Sequence, residues 1–125
     1  MENERSATIT IGGEEYELLL TTRATKAIAA RFGGLENLGS QLLSNENFEQ
    51  GLDAVIWLIV LLANQSIMIF NLKNNTNPKE LLTEETVELL TTPYDLATYK
   101  EALTTAMYKG TIRNVESESE ASKNV

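Results

Sequence analysis

Cysteine and histidine are both absent from this chain of 125 residues. Their absence excludes a disulfide framework, a thiolate nucleophile and a Cys/His zinc site, and it removes the commonest general base. Positive charge is scarce as well: ten Lys and Arg stand against eighteen Asp and Glu, a formal net charge of -8. Such a balance repels nucleic-acid phosphates and anionic membrane surfaces unless a basic patch is built locally. The cations are scattered, and the tightest grouping, Arg23, Lys26 and Arg31, falls on one predicted helix as its solvated face. No nucleic-acid partner is expected. Met1 to Ser6 is polar and acidic without an apolar stretch, so no secretory signal is expected either.

What the chain does have is one long apolar run, in which Val55, Ile56, Trp57, Leu58, Ile59, Val60, Leu61 and Leu62 follow without interruption. Both faces of a helix would be apolar here, which predicts a helix buried on most sides rather than an amphipathic surface helix. As a membrane span the run is short: Ala54 to Ala63 covers about 15 Å at the helical rise, against a hydrocarbon core of about 30 Å. Extending it to Phe70 brings in Asn64, Gln65 and Ser66, and no basic clusters flank it to set a topology. No membrane is expected as a partner. Phe48 to Phe70 is instead the predicted central helix of one domain, since a chain of this size holds a single core.

Upstream, Thr8 to Ile11 alternates, Gly12-Gly13-Glu14-Glu15 reads as a turn, and Tyr16, Leu18 and Leu20 share one face of a second strand. A hairpin with strands near 7–11 and 16–20 is predicted. A turn centred on Gly13-Glu14 would set Ile11 opposite Tyr16 and Ile9 opposite Leu18. The glycine pair is no phosphate cradle, because two glutamates and a strand follow it. Thr21 or Thr22 can cap a helix that carries Ala24, Ala27, Ile28 and Phe32 and stops at Gly33. Leu35, Leu38, Leu42 and Leu43 predict a second, short helix before the polar Ser44 to Asn47.

Beyond the core helix, Lys73 to Asn77 is a polar loop. Asn77-Pro78-Lys79-Glu80 predicts a helix start of one or two turns, and Thr83 a restart with Val87 and Leu90 on the buried side. Glu80, Glu84, Glu85 and Glu88 lack the spacing and glycine of a calcium loop, so neither metal nor cofactor is expected. Thr92-Pro93 opens the last helix, with Leu96, Tyr99, Leu103, Ala106 and Met107 on one side and Gly110 as its expected end. Residues 111–125 are expected to form a flexible acidic tail. The fold class predicted is mainly α: a helical bundle around one long buried helix, preceded by a β-hairpin, over residues 1–110.

The hairpin Ile9 to Leu18, the helix from Thr21-Thr22-Arg23-Ala24-Thr25-Lys26-Ala27-Ile28 to Phe32-Gly33-Gly34, and the helices after it make the layout similar to the tail assembly chaperones of long-tailed bacteriophages and prophages. The resemblance implies a non-enzymatic protein of the host bacterial cytoplasm, absent from the mature virion. It implies a tape measure protein and a tail tube protein as partners, the first kept soluble and the second recruited around it. It also implies that a longer frameshifted form can diverge after Gly110. A structural head-tail or tail completion protein retained in the virion is the alternative. The segment Ile67 to Leu72 reads either as a continuation of the core or as an adaptable apolar surface for a partner, and on the chaperone resemblance Ile69, Phe70 and Leu72 are the candidate partner-binding group. The edge of the hairpin offers a route to a homo-oligomer.

Overall fold

A computed structural model of the protein describes residues 6–34 and 48–123. In chain order these form β1 (Ser6–Ile11), β2 (Glu14–Leu19), α1 (Thr22–Phe32), α2 (Phe48–Lys73), α3 (Glu84–Leu90) and α4 (Pro93–Lys123). The fold is mainly helical with an N-terminal antiparallel hairpin, the class that the hydropathy pattern predicts. The short helix expected over Leu35 to Leu43 lies outside the described residues.

The hairpin register differs from the expected one by two residues along β2. Ile11 pairs with Glu14, Ile9 with Tyr16 and Ala7 with Leu18. The turn is Gly12-Gly13, not Gly13-Glu14, and both glycines have positive φ, +58° and +84°. That is the demand of a type I′ turn, whose twist matches the strands. Because the slip is an even number of residues along β2, the apolar face is unchanged: Ile9, Ile11 and Leu18 are all buried. In such a hairpin the pair flanking the loop exchanges both backbone bonds and the next pair exchanges none, so the Thr10 and Glu17 carbonyls point outward. These two carbonyls are each met by a hydroxyl from a helix. Tyr99 Oη of α4 donates to Thr10 at 2.6 Å, and Ser66 Oγ of α2 donates to Glu17 at 2.7 Å. The helices thus hold the hairpin by both edges.

Burial pushes the Tyr99 phenol above its ordinary pKa of 10.0, and Asp95 adds to the shift. A raised folded-state value favours the neutral phenol, so its contribution is fully present below pH ~10 and is lost as pH climbs through the folded pKa. Tyr99→Phe is therefore expected to cost about 1 kcal/mol at pH 7 and to flatten the fall of stability above pH ~10. Urea denaturation from pH 7 to 11 measures both.

Helix α2 is the post of the core. Val55, Ile56, Leu58, Ile59 and Leu62 are buried, while Trp57, Val60 and Leu61 pack against the same cluster from half-buried positions. Ile28 of α1, Val87 of α3, and Leu96, Leu103 and Ala106 of α4 complete it with the hairpin face. Trp57 meets the edge of Phe32 with ring centroids 5.7 Å apart, and the Arg31 guanidinium lies 4.7 Å from the indole centroid. Arg31 is exposed, as expected of a solvated face, yet its cation sits on an aromatic surface. By length and composition Gly51–Lys73 is long and apolar enough to cross a membrane. Its polar centre is engaged within the fold.

The helix starts follow their caps. Thr21 accepts from the Ala24 amide, Thr83 from the Thr86 amide, and Thr92 and Asp95 close a reciprocal capping box around Pro93. Gly33 ends α1 in the left-handed conformation. Three expectations are corrected. No helix forms over Pro78–Leu82; this stretch is drawn along α2 by side-chain amides described below. Leu90 is 55% exposed rather than buried, and its side chain covers Gly12 at the hairpin turn. Gly110 does not end α4, which continues to Lys123. Its φ is not positive, and its missing side chain makes room for Leu20.

Candidate functional site

The second half of α2 carries three amide side chains at helical spacing, Asn64, Gln65 and Asn71. Asn64 Oδ1 accepts from the Leu82 amide at 2.7 Å and its Nδ2 donates to the Leu82 carbonyl at 2.9 Å. Asn71 repeats the motif two turns later, bonding the amide and carbonyl of Lys79 at 2.8 and 3.1 Å. Seven helical residues rise about 10.5 Å, and three extended residues span about 10 Å, so the two clamps hold Lys79 to Leu82 antiparallel to α2 without strain. Gln65 faces α1: it accepts from Thr21 Oγ1 at 2.6 Å and donates to the Leu61 carbonyl at 3.0 Å. Every buried side-chain polar atom among the described residues has a partner.

These clamps create a cleft on each side of the helix. The first, about 500 Å³, lies between the start of α1 and the clamped segment, lined by Thr21, Arg23, Met68, Ile69, Leu72 and Leu81 among others. Its wall is apolar, and Leu72 is 82% and Leu81 50% exposed. The guanidinium of Arg23 reaches Met68 Sδ at 3.6 Å. The second, about 830 Å³, lies between β2 and the clamped segment over Ile67 and Phe70. There the Lys79 ammonium stands 4.5 Å from the Phe70 ring centroid, and Tyr16 Oη donates to Glu14 at 3.1 Å. Burial first, then the Glu14 carboxylate, raises the Tyr16 pKa.

The three candidate partner-binding residues are thus divided. Ile69 and Leu72, three residues apart, open into the first cleft, while Phe70, turned by about 100° on the helix, opens into the second. Met68 and Leu81 belong with Ile69 and Leu72. The sequence signal for this arrangement is the seven-residue spacing of Asn64 and Asn71 in an otherwise apolar helix, which marks a face that binds backbone. Among the described residues no group of three His, Cys, Asp or Glu is placed to hold a metal ion.

Comparison with family models, with curated proteins and with solved structures gives no match.

Proposed function

We propose that the protein is a tail assembly chaperone of a long-tailed phage or prophage, and that its first cleft receives an apolar helical face of the tape measure protein. The observation that carries the reading is the exposed apolar cleft itself, with Ile69 and Leu72 on one wall and Leu81 on the other. An exposed apolar groove of this kind suits a helix that lays its own apolar face into it. The order of hairpin, Gly33-Gly34 and helices supports the same reading through the resemblance. On it, the protein acts in the host cytoplasm, catalyses no reaction, also engages the tail tube protein and leaves before the virion is complete.

The test is co-purification from cells expressing the chain with a tape measure protein. Ile69→Ser with Leu72→Ser is expected to reduce recovery of the partner by about tenfold or more, as loss of two anchors from an interface centre does. Phe70→Ser, on the other side of the helix, is expected to leave recovery within about twofold of wild type on the same scale. Equal recovery with all variants refutes the cleft as the docking surface. Mass spectrometry of purified virions that finds the chain there favours a structural tail or head-tail component instead.

A further inference from the structure

We infer that the second cleft is a separate docking surface for a basic segment, one in which lysine or arginine alternates with apolar side chains. The inference stands apart from the tail-assembly reading and does not depend on it. Its floor is apolar, formed by half-buried Ile67 and Phe70. Its lining is acidic: Glu14, Glu15 and Glu17 of β2 and Glu80 of the clamped segment. Lys79 is the single cation among the described lining residues, and it is laid over the Phe70 ring. None of the four carboxylates forms an ion pair with another described residue. An apolar floor between unneutralised carboxylates is complementary to an apolar side chain flanked by cations, and mismatched to an acidic or purely polar segment. The way Lys79 rests on Phe70 shows the ring receiving a cation within the chain itself.

Charge also decides against a second copy as the occupant. Antiparallel pairing of two β2 strands about Tyr16 would bring Glu15 of each copy against Glu17 of the other, and like charges set opposite one another are destabilising. Ser66 already occupies the Glu17 carbonyl.

The test uses the full chain and three short labelled synthetic peptides, alternating lysine with valine, lysine with serine, or glutamate with valine, followed by fluorescence anisotropy at physiological salt. The lysine–valine peptide is expected to bind and the other two to bind at least about tenfold more weakly. Glu15→Lys with Glu80→Lys, both at exposed positions that leave the core untouched, is expected to weaken the lysine–valine peptide by about tenfold or more. Equal binding of the lysine–serine peptide would reduce the effect to bulk attraction by an acidic protein and overturn the inference. So would unchanged binding to the double variant, absence of binding altogether, or a dimer in sedimentation that the double variant dissociates.

Discussion

Asn64→Ala is expected to destabilise the protein by about 2–4 kcal/mol, while Asn71→Ala costs less than about 1 kcal/mol, although both side chains make the same pair of bonds. The difference lies in burial. Asn64 is 9% and Leu82 5% exposed, so removing the amide leaves the Leu82 N–H and carbonyl without partners in a place water does not reach. Lys79, the backbone partner of Asn71, is exposed, and water replaces the lost amide there. Asn64→Asp is no remedy: it keeps the acceptor for the Leu82 amide but sets a carboxylate against the Leu82 carbonyl. Urea denaturation of the three variants gives the ordering, and equal losses at Asn64 and Asn71 would show that the clamp is not the source of the effect. The consequence for function is direct, because the clamped segment forms one wall of both clefts.

Gly110→Ala is expected to lower stability by about 1–2 kcal/mol, against the usual gain of about 1 kcal/mol when a helix-interior glycine becomes alanine. A Cβ at this position would stand 2.8 Å from Leu20 Cβ and 3.0 Å from its Cδ2. The first of these atoms is fixed to the backbone of the chain leaving β2, so no rotamer of Leu20 relieves the contact. Either the hairpin moves off α4 or the core around Leu103 and Ala106 opens. Gly51→Ala supplies the comparison: nothing lies within 4 Å of a Cβ built there, and α2 is helical at that point, so a gain of about 0.5–1 kcal/mol is expected. Thermal unfolding of both variants should therefore move in opposite directions. A parallel rise would mean that the contact of Leu20 with Gly110 does not limit the packing.

Much of the fold is legible from local pattern alone. The alternation in β1 and β2 determines the apolar face of the hairpin whatever its register, because the side-chain period of two survives an even slip. Thr21, Thr83, Thr92 and Gly33 mark helix ends because their chemistry acts on backbone groups within three or four residues. The run Val55 to Leu62 fixes the core helix because no solvated face can be drawn on it. For the same reason Ile69, Phe70 and Leu72 stand out as a group in the sequence, although the helix turns Phe70 away from the other two.

What the tertiary structure decided depends on groups far apart in the chain. Gly33 and Gly110 are the same residue type, each expected from the sequence to end a helix, but one stops a helix and the other sits inside one and receives Leu20, a difference set by a residue ninety positions upstream. Asn77-Pro78 has the form of a helix start, yet the two asparagines of α2 offer the following backbone better partners than a short helix would. Sequence by itself determined the elements and the core, through interactions that close within a few residues. Only the packing of α2 against distant backbone decided where the chain is clamped, and so where its two clefts lie.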